Sequence, residues 1–163
     1  MSRRFIATKR IQLIYLNFIM LTQIHSRRST NDIDVLLKDI DDPQSPIYHT
    51  FKSAVRTVAT NNNLSTKWLN DMIGDFLRNA GEVPEGKLWK RFSTLEIYIP
   101  PKEYILAHKL LAGREKDEND ILALSQQLNI KTRAQAQKLV EKYIPNKQLH
   151  QLHGLDETLD RFF

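Results

Sequence analysis

The chain has no cysteine among its 163 residues. Disulfide bonds, thiolate catalysis and zinc sites built from cysteine are therefore excluded. Glycine and proline are also scarce, with 5 and 6 residues respectively. So few turn-forming residues argue against a turn-rich all-β protein and favour long regular elements.

Motifs of several common sites are missing as well. The sequence contains no GxGxxG and no Walker loop, which disfavours Rossmann and P-loop nucleotide sites. The five histidines show no HExxH spacing, and we interpret them as structural or surface residues. The basic start, Met1–Arg10, and the apolar stretch Ile11–Ile24 superficially resemble a signal peptide, but polar residues interrupt the stretch and no small-residue cleavage site follows. We therefore expect a cytoplasmic protein without a membrane segment.

The composition is that of an ordinary globular domain. Hydrophobic residues make up 41% of the chain and charged residues 26%, which provides for both a core and a soluble surface. The formal net charge is +5. This moderate positive excess permits RNA, a nucleotide or an acidic protein as partner without requiring one.

Hydrophobic periodicity predicts strands with helical crossovers, followed by helices only. We predict strands at Ile11–Phe18, Ile33–Leu37 and Ser93–Ile99. We predict helices at Ile19–His25, Pro46–Asn61, Thr66–Asn79, Pro101–Ala112, Asp117–Leu128, Thr132 to before Pro145, and Gln148–Phe163. Ser45, Asp117 and Thr132 are the predicted N-caps. The fold class is α/β (α+β): a small mixed β-sheet flanked by helices in residues 1–100, with a helical C-terminal region, 101–163, packed on it as one compact unit.

Asp32 and Asp34 are the first candidates for chemistry. On a strand, residues two apart project from the same face, so their carboxylates lie close together. Such a pair is stabilised by a cation between the carboxylates, as in a Mg²⁺ site for phosphoryl transfer. The alternative is a polar turn with solvated aspartates. Arg28, just before the pair, either binds phosphates or neutralises the two carboxylates.

Glu96 is an acid inside the last predicted strand. It is either a third metal ligand or a solvent-facing residue. Strand alternation groups it with Thr94 and Tyr98 and favours exposure.

The segment KLLAGREKDEND, residues 109–120, carries a second set of charges. Lys109 lies in an apolar helix, where it either snorkels to solvent or reaches a triphosphate. Arg114 follows the helix end at Gly113, and Asp117 and Asp120 lie one turn apart. The alternative interpretation is a pair of helix ends, with cations at one C-terminus and a capping box at the next N-terminus.

Two blocks together resemble a known family. RRSTNDIDVLL and LEIYIPPKEYILAHKLLAGREKDENDILAL are similar to nucleotidyltransferase-like proteins related to the AbiEii toxins of bacterial toxin–antitoxin and phage-defence loci. The resemblance covers about Tyr15 to Tyr143. Its more specific part is Pro-Pro-x-Glu-Tyr, then Lys-Leu-x-Ala, then Arg-x-Lys-Asp-x-x-Asp.

The resemblance implies metal-dependent transfer of a nucleotidyl group from a nucleoside triphosphate to RNA or protein, with Mg²⁺ as cofactor. The implied catalytic residues are Asp32, Asp34, Lys109 and Asp120. The implied nucleotide-binding residues are Arg28, Ser29, Lys109 and Arg114. The implied metal ligands are Asp32, Asp34 and Glu96. A cognate toxin or antitoxin is a further implied partner, and a homo-oligomer is left open.

The chain departs from the family pattern in one place. The family carries a Gly-Gly or Gly-Ser turn after the first strand, which lets backbone N–H groups approach the triphosphate. Phe18 and Ile19 stand at that place here. This departure leaves three hypotheses: an active nucleotidyltransferase, a catalytically degenerate member acting as antitoxin or interaction module, and a basic RNA-binding or structural protein that keeps the fold as scaffold.

Overall fold

The computed structural model describes residues 11–15, 33–38, 40 and 42–163. These residues form five strands: β1 (Ile11–Tyr15), β2 (Ile33–Lys38), β3 (Leu69–Asn70), β4 (Lys87–Arg91) and β5 (Leu95–Ile99). They also form seven α-helices: α1 (Pro46–Asn61), α2 (Ile73–Ala80), α3 (Lys102–Ala112), α4 (Glu118–Gln127), α5 (Arg133–Tyr143), α6 (Lys147–Leu152) and α7 (Leu155–Phe162). A single 3-10 turn, Glu115–Asp117, joins α3 to α4. The predicted mixed α/β class is confirmed.

The sheet has five strands in the order β3-β2-β1-β5-β4. β1 runs antiparallel to β2 and parallel to β5, while β4 runs antiparallel to β5 and β3 parallel to β2. The predicted strands at Ile33–Leu37 and Ser93–Ile99 correspond to β2 and β5. Of the predicted first strand, Ile11–Tyr15 is β1, and the remainder lies outside the described residues, as does the predicted helix Ile19–His25.

Each face of the sheet is covered by different helices, because alternate residues of β2 point to opposite sides. On one face, Val35 and Leu37 pack against Phe51 and Val55 of α1. On the other face, Leu36 packs against Leu77 of α2 and Tyr104 of α3. Asp34 has the same parity as Leu36 and therefore belongs to the α2–α3 face.

The C-terminal helices form a second core around α3. The larger part of α3 is buried and packs with α4, α5 and α7 through the following buried residues: Leu106, Leu110, Leu111, Ile121, Leu124, Ala136, Val140, Leu155 and Leu159. Because Tyr104 of the same helix packs under the sheet, α3 contributes to both cores. In the part of the chain that is described, no helix has the length and apolar character needed to cross a bilayer.

Two predicted caps are confirmed in detail. The Ser45 side chain accepts a hydrogen bond from the Tyr48 backbone N–H at 3.3 Å, and Pro46 occupies the first turn of α1. Thr132 and Gln135 form a reciprocal capping box at the start of α5. These local signals depend on a few neighbouring residues, which is why they are visible in the sequence.

Three predicted elements are wrong. The helix Thr66–Asn79 is split, because Leu69 and Asn70 pair with β2 as β3 and the helix begins only at Ile73. The tail is two helices, α6 and α7, because Gly154 takes a left-handed conformation with φ 62° between them. The connection assigned to Glu82–Lys87 ends one residue early, and Lys87–Arg91 is the unpredicted strand β4.

Candidate active site

Asp34 sits near the start of β2, on the face covered by α2 and α3. Its Oδ1 atom accepts a hydrogen bond from the Asn70 side-chain amide at 3.0 Å. The parallel register pairs Asp34 with Asn70 directly, so the backbone fixes this contact. The carboxylate is thus half-buried and held by the neighbouring strand, as a reactive group on a rigid element would be.

Lys109 lies near the end of α3, in a buried cluster of charges. Its Nζ atom donates to Asp117 Oδ1 at 2.6 Å and to Asp120 Oδ2 at 2.9 Å. Arg114 adds a second cation on Asp117, with its Nε 2.7 Å from Oδ2. The centre of this ion cluster is almost completely excluded from solvent, since the exposed fraction is 6% for Lys109, 1% for Asp117 and 1% for Asp120. Two cations and two carboxylates balance in charge.

The local backbone explains how these residues meet. Gly113 ends α3 in a left-handed conformation with φ 57°, and its N–H bonds the Lys109 carbonyl. The 3-10 turn then folds Asp117 back toward Lys109. Asp117 is the N-cap residue of α4 by position, but its side chain makes no capping bond. Asp117 therefore has the predicted N-cap position, but its carboxylate binds the two cations and does not cap the helix.

The electrostatics of Asp117 follow from this geometry. Burial acts to raise the pKa of Asp117, but the hydrogen bond and charge of Lys109, together with Arg114, outweigh it and lower the pKa below its usual range. Asp117 is thus ionised at neutral pH despite its burial.

A cavity of about 420 Å³ joins the two polar groups. Asp34, Lys109 and Arg114 all line it, although they are far apart in the sequence. The rest of its wall is largely apolar or aromatic: Ile73, Phe76, Leu77, Tyr104, Ile105, His108, Ala112 and His153. This volume is in the range of sites for nucleotide-sized ligands.

Tyr104 and His108 contribute two polar side chains to this wall that have no hydrogen-bond partner in the described structure. Their rings contact edge to face, with centroids 4.4 Å apart. Burial raises the pKa of the Tyr104 hydroxyl. Burial lowers the pKa of His108 to about 4, so its imidazole is neutral at physiological pH.

Glu96 lies apart from this cavity. It is 5% exposed, and Arg91 Nε and the Tyr98 hydroxyl contact its carboxylate, each at 2.8 Å. The solvent-exposed interpretation of Glu96 is therefore wrong, because Arg91 of the edge strand β4 covers it. In the sheet register, Glu96 and Lys38 are both paired with Gln12 of β1. Because Lys38 is four residues after Asp34 in β2, Glu96 is displaced from Asp34 by about 13 Å along the strand direction.

Other predicted site residues lie outside the described residues, namely Asp32, Arg28 and Ser29, together with Phe18 and Ile19 of the departing turn. Within the residues that are described, no three His, Asp or Glu side chains are grouped so as to hold a metal ion. The structure therefore brings Asp34, Lys109 and Arg114 to one cavity, with Asp120 bonded to Lys109 outside its lining, and separates Glu96 from them.

The polar residues after Leu69 are not among the predicted site residues. Asn70 holds Asp34, and Asp71 next to it pairs with Lys52 of α1 at 2.7 Å. Burial acts to raise the pKa of Asp71, but hydrogen bonds from Lys52 and Tyr48 lower it below the usual value. The signal was a polar Asn-Asp pair directly after two apolar residues, which is typical of the end of a short strand.

Comparisons of the chain with protein-family models, with curated proteins and with solved structures find no match in any of the three.

Proposed function

We propose that this protein is a nucleotidyltransferase of the toxin–antitoxin or phage-defence type, which uses Mg²⁺ to transfer a nucleotidyl group from a nucleoside triphosphate to RNA or protein. One observation carries the proposal: Asp34, Lys109 and Arg114 line the same cavity. A carboxylate on one wall and cations on another are what a metal–triphosphate complex requires. The sequence resemblance implies a role for the same three residues. We place the reaction in the cytoplasm, where nucleoside triphosphates are supplied.

In this proposal Asp34 and Asp32 are the ligands of Mg²⁺. Carboxylate oxygens are the ligands that Mg²⁺ takes in phosphoryl-transfer sites, and Asp32 is the second carboxylate that the sequence supplies. The bound ion would neutralise charge on the transferred phosphate. Asn70 holds one oxygen of Asp34 and so orients the carboxylate toward the cavity.

The cations have distinct roles in this proposal. Two of the three Lys109 N–H groups bind Asp117 and Asp120, which leaves one for a phosphate oxygen. The Arg114 side chain is 52% exposed and carries its guanidinium at the cavity rim, where it binds the triphosphate. In the reaction the acceptor oxygen bonds to the α-phosphorus, the bond to the β-phosphate breaks, and pyrophosphate leaves. In this proposal Asp34 also takes the acceptor's proton.

The experiment is label transfer from radioactive nucleoside triphosphates with Mg²⁺ and total RNA. Asp34→Asn keeps the oxygen that accepts from Asn70 and removes the charge, so we expect transfer to fall at least a hundredfold. The matched control is Asp156→Asn, an exposed carboxylate on α7 that is 77% exposed. Equal transfer by wild type and Asp34→Asn would overturn the assignment of Asp34.

A second candidate function is supported by the ion cluster itself. Lys109 is countered by two buried carboxylates, which is also a complete structural role. A catalytically degenerate member of the fold would keep this cluster and act as an antitoxin or interaction module for a cognate protein. Calorimetry separates the two candidates: absence of Mg²⁺-dependent nucleotide binding, with no transfer by wild type, favours the degenerate member.

A further inference from the structure

The edge strand β4 carries an unusual set of exposed side chains. All five of its residues are exposed, and β4 is the last strand on its side of the described sheet. With Phe92 it reads Lys-Leu-Trp-Lys-Arg-Phe, which has three cations, two aromatic residues and no acid. Trp89 and Phe92 are 39% and 52% exposed. Exposed apolar side chains that are neighbours on one surface, rather than scattered singly, indicate a binding site.

A β-bulge sets the direction of these side chains. Leu88 pairs with Tyr98 and Lys90 with Ile97, so Trp89 is the extra residue between them. Bulges at sheet edges re-aim a side chain and interrupt the ladder. The Lys90 ammonium lies 4.8 Å from the centroid of the Trp89 ring, so cation and aromatic face form one unit.

A groove of about 670 Å³ lies beside Trp89. It is lined by Gly86–Trp89 and by Ile99–Lys102. Lys87 and Lys102 are the charged residues of this lining, and it contains no acid. Pro100 and Pro101 make its floor rigid, because their φ angles are fixed.

We infer that the β4 edge binds single-stranded RNA, with phosphates on Lys87, Lys90 and Lys102 and a base stacked on Trp89. Cations that follow the backbone, together with aromatic rings that take bases, are how single strands are held without sequence preference. A peptide strand added to the edge is disfavoured, because lysines and a bulge on an edge strand oppose pairing. Double-stranded RNA keeps its bases stacked on each other and cannot use Trp89.

This surface is distinct from the Asp34 cavity but lies toward the same end of the sheet. Leu88 is level with Tyr98, Ile14 and Leu36 in successive strands, and Leu36 is two residues from Asp34. Three strand spacings separate β4 from β2, about 14 Å. RNA binding at β4 does not depend on nucleotidyl transfer, and its test uses binding alone.

The test is fluorescence anisotropy with a labelled oligouridylate of about 12 nucleotides. The double variant Lys87→Gln/Lys90→Gln should weaken binding at least tenfold. It should also lower the slope of log affinity against log salt by roughly 1.4, since each lost phosphate contact on a single strand removes about 0.7. Trp89→Ala should weaken binding roughly tenfold with the salt slope unchanged. The matched control, Lys131→Gln/Lys138→Gln, removes two exposed lysines elsewhere and should bind like wild type.

Three results would overturn the inference. They are no binding by wild type at low salt, equal weakening by the control pair, or equal affinity for a duplex of the same length. In the first case, binding of a labelled polyglutamate peptide through the same lysines would indicate an acidic protein partner instead. Binding is measured without Mg²⁺ and without nucleoside triphosphate, so failure of the proposed transfer activity and failure of this surface give different outcomes.

Discussion

Two ion clusters in this protein each place a cation between two carboxylates, but their surroundings are opposite. Lys109 bridges Asp117 and Asp120, and Arg133 of α5 bridges Asp156 and Asp160 of α7. Both join residues of separate elements through a cation between two carboxylates. The side chains of the first cluster are between 1% and 7% exposed, and those of the second between 41% and 77%.

Burial decides what each cluster does. In water, an ion pair gains little, because solvent competes for the charges and salt screens them. In a dry site, each charge has lost its hydration and depends on its partners, so removal of one partner leaves an uncompensated charge. The fold therefore requires the complete Lys109 cluster, whatever else Lys109 contacts in the cavity.

The largest expected effect comes from Lys109→Met. Methionine keeps the length and the packing but leaves Asp117 and Asp120 without their ammonium. We expect a loss of about 3–5 kcal/mol in the free energy of unfolding, measured by urea denaturation. Arg114 still contacts Asp117 and limits the damage on that side.

A second variant shows how much of the stability loss in Lys109→Met comes from the unbalanced charge and how much from altered packing. Adding Asp120→Asn to Lys109→Met restores the charge balance, because Arg114 still pairs with Asp117, and a large part of the stability should return. If Lys109→Met alone lowers the free energy of unfolding by less than about 1 kcal/mol, the cluster is accessible to solvent. Burial would then not distinguish it from the Arg133 cluster.

The next largest effect is a pH dependence of stability caused by His108, whose buried imidazole has no hydrogen-bond partner in the described structure. Its pKa of about 4 in the folded protein lies below the usual 6.5, so the unfolded chain binds the proton first as pH falls. The stability from this group is therefore complete above pH 6.5 and is lost as pH falls toward 4. The loss is up to about 3 kcal/mol, from 1.36 kcal/mol for each pKa unit.

Urea midpoints between pH 4 and 7 measure this effect. His108→Leu should flatten the pH dependence in that window, because leucine does not titrate. His49→Gln, which changes an exposed histidine, serves as the control. An unchanged pH profile in His108→Leu would show that the imidazole reaches solvent.

Local patterns predicted most of the fold, and long-range pairing explains the errors. The helix α1, its Ser45 cap and the Thr132 capping box depend on neighbouring residues, and the sequence contains them in full. β3 and β4 depend on partners far along the chain. Leu69 and Asn70 have a helical hydrophobic period, but pairing with β2 overrides it, and Lys87–Arg91 is a strand because β5 lies beside it.

The candidate site was predictable in its residue types but not in its contacts. The spacing of Asp117 and Asp120 resembles that of Asp156 and Asp160, and nothing local says which pair is buried. The burial of Asp117 and Asp120 depends on the packing of α3 against α4, α5 and α7. Asn70 is not predictable from local sequence either, because only the parallel pairing of β3 with β2 brings it to Asp34.

The smallest expected effect completes the comparison. Arg133→Met removes the cation of the exposed cluster, and Asp156 and Asp160 remain hydrated, so the urea midpoint should change by a small fraction of the change in Lys109→Met. Any difference from wild type should vanish in molar salt, because the screening length falls to about 3 Å. The Lys109→Met deficit should persist in the same salt, since ions do not enter the buried site. Equal losses in the two variants, or equal sensitivity to salt, would mean that burial does not distinguish these clusters.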